Sequence, residues 1–123
     1  MVDKHSKAIG KIASRPSIIG LTDIVASAVE VKLFDSHGNL VAEPDVILYS
    51  KTGDIYVIEY KDNGDRRLMK KAEEQLYCAV NWFSRNGISP KTMIVDGQHY
   101  PELKKGSKRE VYDRRTVKKD KRR

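Results

Sequence analysis

The chain has a single cysteine, no apolar run approaching the ~20 residues of a membrane span, and no apolar stretch in Met1-Val2-Asp3-Lys4-His5 of the kind that begins a secretion signal. Each absence excludes something. One cysteine forbids an internal disulfide and fits a reducing, cytoplasmic compartment. Cys78 lies in a helical stretch two residues from Leu76 and reads as a small packed side chain. The three histidines, His5, His37 and His99, are scattered through loop and tail contexts. With no cysteine or second histidine at ligand spacing, they argue against zinc. The hydrophobic fraction of 39% is modest beside a charged fraction of 33%, so a small core under a heavily solvated surface is expected from these 123 residues. That length suits one domain.

The formal net charge of +7 is unevenly spread. From Lys104 to Arg123 there are 11 Lys or Arg against three acids, Glu110, Asp113 and Asp120, whereas the preceding 103 residues are close to neutral. A basic tail attracts phosphate backbones by counterion release without reading sequence. Lys104, Lys105, Lys108, Arg109, Arg114 and Arg115 are therefore the expected nucleic-acid contacts, and solubility is the alternative use of the same charge. Tyr100 and Tyr112 flank this segment, where they either pack or stack on bases.

The hydrophobic pattern divides the chain into a basic arm over 1–16, a core domain over 17–98 and a basic tail over 99–123. Ile18, Ile19, Leu21, Ile24, Val25, Ala28 and Val29 fit an amphipathic helix from Ser17 to about Val29, although Thr22-Asp23 could cap one that starts later. Alternation from Val29 to Phe34 suits a first strand, closed by a turn at Asp35-Ser36-His37-Gly38-Asn39. Two strands joined at Ser50-Lys51-Thr52-Gly53 follow. Asp65 caps a helix from Arg66 to about Arg85, whose stripe is Leu68, Met69, Ala72, Leu76, Ala79, Val80 and Phe83, with Gln75 bordering it. Trp82 and Phe83 pack at its end, and Asn86-Gly87 stops it. Lys91–Asp96 is a last strand, parallel to its predecessor through a right-handed crossover. The fold class is α/β, in the order α-β-β-β-α-β, with a mixed four-stranded sheet flanked by helices.

Chemistry concentrates in the hairpin. Pro44-Asp45 opens one strand and Glu59-Tyr60-Lys61 closes the next. Ile55, Val57, Glu59 and Lys61 share one face. Val57 and Ile58 make the strand apolar on both sides, so it is central, and a carboxylate and an ammonium at its end are costly unless they serve a site. Closing the hairpin brings Asp45 beside Glu59. Alternatively, Asp45 satisfies a turn amide and Glu59 and Lys61 decorate an edge strand.

This element order with Pro44-Asp45 and Glu59-Tyr60-Lys61 resembles the PD-(D/E)XK nuclease superfamily, which includes archaeal Holliday-junction resolvases and RecB-type nucleases. The resemblance covers roughly residues 17 to 96. It implies a restriction-endonuclease-like core and a metal-dependent deoxyribonuclease, more an endonuclease than an exonuclease, hydrolysing DNA phosphodiester bonds on branched or processed DNA. It also implies Mg²⁺ or Mn²⁺ held by Asp45, Glu59 and the carbonyl of Tyr60, with Lys61 orienting or helping to deprotonate the attacking water. Glu30, at the helix–strand junction, is the implied further acid. Gln75 is the implied nucleic-acid contact of the helix after the lysine, although Gln75 followed by Tyr77 matches only partly the Gln and Tyr, four residues apart, of RecB-type members. A homodimer is possible on the resolvase pattern. A non-catalytic nucleic-acid-binding module on the same fold is the alternative, and a small protein-interaction domain is a third.

Overall fold

The computed structural model describes residues 3–104, built as a mixed α/β domain with one four-stranded mixed sheet and two α-helices. The first helix, α1 (Lys4–Ser14), begins where Asp3 accepts the backbone N–H of Ser6 at 2.7 Å and stops ahead of Pro16. Its apolar positions Ala8, Ile9 and Ile12 are buried. A 3-10 turn, Pro16–Ile19, leads to strand β1 (Ile24–Val29). The chain then makes the short pair β2 (Leu33–Phe34) and β3 (Leu40–Ala42), followed by β4 (Val46–Ser50), β5 (Ile55–Lys61), α2 (Arg66–Arg85) and β6 (Lys91–Asp96).

The sheet order is β1-β4-β5-β6, antiparallel at the first two junctions and parallel at the last. Period-two alternation divides the core between the two faces of the sheet. Ile58 and Tyr60 of β5 pack with Val46, Leu48, Val95 and α1; Val57 packs with Leu76, Ala79 and Phe83 of α2. Between β1 and β4 the chain makes a bent ribbon. Val29 pairs with Val46, and Glu30 N–H bonds the Asp45 carbonyl at 2.9 Å. Glu30 takes φ +50, unusual for a residue with a side chain, and the ribbon continues as β2–β3 against α2. Trp82 Nε1 secures it by donating to the Phe34 carbonyl at 2.7 Å.

Several expectations need correction. The arm over 1–16 contains α1, which supplies core residues, so the core begins well before residue 17. The helix expected over 17–29 is a 3-10 turn and a strand; tertiary pairing with β4 overrides a helical spacing of β-branched residues. The first strand runs over 24–29, and 33–34 belongs to the added ribbon. The core also extends past 98, since Leu103 is buried against it from a closing 3-10 turn, Pro101–Lys104. Cys78 and Gln75 are exposed on α2, each on the side turned away from the sheet. No helix among the described residues is long and apolar enough to cross a membrane.

Candidate active site

At one end of the sheet, β4 and β5 bring two acids together by register. Val46 pairs with Ile58, so the preceding Asp45 falls opposite Glu59. The two carboxylates are held by reciprocal backbone bonds. Asp45 N–H donates to Glu59 Oε2 at 3.1 Å, and Tyr60 N–H donates to Asp45 Oδ2 at 2.8 Å. Asp45 is therefore positioned by the strand it faces, not by its own.

A third group arrives from the other side of the sheet. His5, in the first turn of α1, places Nε2 3.0 Å from Asp45 Oδ1, and its ring lies 5.9 Å from that of Tyr60. Composition and metal-ligand spacing gave no reason to choose His5, because its partner is 40 residues away. A usable signal was present in the helical period: Asp3 as cap, with Ala8, Ile9 and Ile12 as the apolar stripe, puts the partly exposed His5 in line with that stripe.

Glu59 carries the main electrostatic tension. It is 0% exposed, and its Oε1 has no hydrogen-bond partner among the described residues. Burial first, and then the charge of Asp45, pushes its carboxyl up to about 7, against the opposing pull of the Asp45 N–H and of Lys61. Lys61 ends β5 on the same face, half-buried, with no ion pair or hydrogen bond for its ammonium among the described residues. Tyr60 is a structural neighbour: burial, followed by the charges of Asp62 and Asp96, raises its phenol to about 12 and keeps it neutral.

The expected residues thus separate. Asp45, Glu59, Tyr60 and Lys61 come together. Because N–H and C=O of one strand residue point to the same side, the Tyr60 carbonyl faces the edge where its N–H meets Asp45. Glu30 adjoins Asp45 through its backbone, but its side chain is exposed. Among the described residues, no three or more His, Cys, Asp or Glu side chains are arranged to hold a metal ion, so Glu30 does not complete a three-acid set. Its positive φ assigns it to the ribbon bend instead. Lys104 faces Asp62 at 3.8 Å. Lys105, Lys108, Arg109, Arg114, Arg115 and Tyr112 lie outside the described residues. Exposed bases adjoin the site residues in the chain: Lys4 and Lys7 flank His5 in the first turns of α1, and Arg66, Arg67, Lys70 and Lys71 open α2 after Lys61. Comparison with protein-family models, curated proteins and solved structures finds no match.

Proposed function

We propose that the protein is a divalent-metal-dependent nuclease built on a restriction-endonuclease-like core, acting on DNA. The observation that carries this reading is the buried Glu59 oxygen without a partner, beside Asp45 and with the Lys61 ammonium on the same face. A purely structural strand has no use for this group, since an unsatisfied buried carboxylate oxygen costs on the order of 1–3 kcal/mol.

The donor set suits a hard cation. Glu59 Oε1 is unengaged, each Asp45 oxygen keeps a lone pair beyond its one hydrogen bond, and the Tyr60 carbonyl adds a neutral oxygen. Asp45, Glu59 and Tyr60 would hold Mg²⁺ or Mn²⁺, with His5 adjoining them. When bound, the ion supplies Lewis acidity and a more acidic water at the phosphodiester.

The chain's own residues do the rest. His5 and the Tyr60 N–H fix the Asp45 carboxylate, and Asp45 N–H fixes that of Glu59. Lys61 supplies positive charge where the transition state gains negative charge, and orients the attacking water. The bases of the first turns of α1 and α2 offer contacts for phosphates on either side.

A second reading has its own observation. Two acids without a third favour a nucleic-acid-binding module that does not cut. Incubation with plasmid, single-stranded and branched DNA in Mg²⁺ or Mn²⁺ separates the two. The nuclease reading expects cleavage that chelator, Asp45→Ala and Lys61→Ala each abolish. Salt-dependent binding with no cleavage of any substrate would instead establish the binding module.

A further inference from the structure

β1 is an outer strand of the sheet, and along its free edge runs Val25-Ala26-Ser27-Ala28-Val29. All five residues are exposed, Val25 at 60% and Val29 at 42%. Edge strands of soluble proteins are ordinarily blunted by charge, proline or a covering segment. This stretch contains no charged residue and no proline, and no described strand pairs with its outer side; its one irregularity is a register shift at Val25, and Ala26–Val29 pair regularly with β4. Its backbone donors and acceptors form a template for another strand.

The sequence itself says which strand fits: it reads the same in both directions. A twofold axis through Ser27 sets Val25 against Val29, Ala26 against Ala28 and Ser27 against Ser27, as an isologous contact requires. Charge does not oppose this register. Lys32 lies beyond the bend at Glu30 and is paired with Glu43 at 3.3 Å in its own chain, and neither Asp23 nor Glu30 faces an acid across the twofold. The strongly basic segment after Lys104 finds no acid within β1 to favour it as the occupant instead.

We propose that β1 is a homodimer interface, pairing antiparallel with β1 of a second copy to join two four-stranded sheets into one of eight. This does not depend on the nuclease reading. Tyr49, 46% exposed and in register with Ala26, widens the apolar contact on one face. A strand pair of this length covers on the order of 400 Å² per chain, about half of a standard stable interface. The dimer is accordingly weak, with a dissociation constant on the order of 0.1 mM. Because the twofold stands perpendicular to the sheet, both α2 helices lie on one face. With about 3.4 Å per residue and about 4.8 Å between strands, the two Asp45 positions fall roughly 25 Å apart.

Disulfide trapping tests the register. The exposed Cys78 is first replaced by serine. In that background Ser27→Cys should form a covalent dimer under mild oxidant at least about tenfold faster than Thr52→Cys on an exposed turn, since directly opposed antiparallel residues meet the Cα spacing of a disulfide. A mixture of Val25→Cys and Val29→Cys chains should give the heterodimer in preference to either homodimer. Sedimentation equilibrium of the unmodified chain should show mass rising with concentration, and Ser27→Lys should weaken that association at least about tenfold. Trapping at Ser27 no faster than at Thr52, or a mass that stays monomeric up to about 1 mM, would overturn the proposal.

Discussion

Replacing Glu59 by glutamine should change the pH dependence of stability more than stability itself. The carboxyl moves from its ordinary 4.5 to about 7 in the folded chain, mainly through burial and then through Asp45. That displacement corresponds to about 3 kcal/mol. The sign follows from proton counting. Between pH 4.5 and 7 the folded chain keeps a proton that the unfolded chain has lost, so stability falls as pH rises through this window. The full cost applies above pH 7 and vanishes below 4.5. Glutamine is neutral throughout. Its amide oxygen can accept the Asp45 N–H, while its NH₂ takes the position where Oε1 has no partner. An unpaired amide there adds an offset of about 1–3 kcal/mol that does not vary with pH. The quantity to measure is therefore a double difference: unfolding free energies of Glu59→Gln and of the parent chain, at pH 4.5 and pH 8, in chelator. The variant should gain about 3 kcal/mol on the parent between the two pH values, or roughly 10 °C in midpoint for a domain of this size. Mg²⁺ at about a hundredfold its dissociation constant should then stabilise the parent at pH 8 by about 2.7 kcal/mol and the variant far less. A double difference within about 1 kcal/mol of zero would refute the account of Glu59 as a buried, uncompensated carboxylate.

Three other substitutions examine the supports of the site. His5→Ala removes the bond to Asp45 Oδ1 and should cost about 1–2 kcal/mol in urea unfolding, with Mg²⁺ affinity by calorimetry falling about tenfold or more. Gly97→Ala should be more damaging, by over about 2 kcal/mol in thermal unfolding. A Cβ there would meet the Asp62 carbonyl at 2.5 Å and the Tyr60 hydroxyl at 2.6 Å, and backbone cannot swing aside as a side-chain end can. Trp82→Phe leaves the Phe34 carbonyl without its donor and should cost about 1 kcal/mol. Hydrogen exchange should quicken first in the β2–β3 ribbon, since that bond ties it to α2.

What could be read from the chain followed the reach of each signal. The hairpin of β4 and β5, the helix α2 and the parallel β6 were legible because each announces itself within about 20 residues. A short apolar run bounded by turns marks Ile55–Lys61, Asp65 caps α2, and the helical stripe buries Ala72, Leu76, Ala79 and Phe83. Asp45 beside Glu59 followed from hairpin closure alone. The first helix was misplaced because Ser17–Val29 is rich in apolar residues at mixed spacing, and only pairing with β4 decides for a strand. His5 was passed over for the same reason, since its role depends on α1 lying across the sheet end. Glu30 was chosen for its charge, whereas what distinguishes it is a backbone angle, and one acidic residue in a single sequence does not reveal φ +50.

The site depends on strand register more than on side-chain conformation. Asp45 accepts from the backbone of β5, Glu59 from the residue opening β4, and neither bond survives a slip of one residue, which would also turn Glu59 onto the other face of the sheet. Register is set at the far end of the hairpin. There Ser50 Oγ accepts the Asp54 N–H at 3.0 Å, Thr52 bridges Ser50 and Asp54 through its hydroxyl, and Gly53 takes φ +93. The turn Ser50–Asp54 and the acids at the opposite end are thus one mechanical unit, separated by the length of two strands. The apolar pairs between them, Val46 with Ile58 and Leu48 with Tyr56, transmit the alignment. This explains how a domain with so small a core can hold a buried, proton-hungry glutamate. The cost of Glu59 is borne by a hairpin fixed at both ends, with α1 and α2 closing its two faces, and not by any single bond at the site.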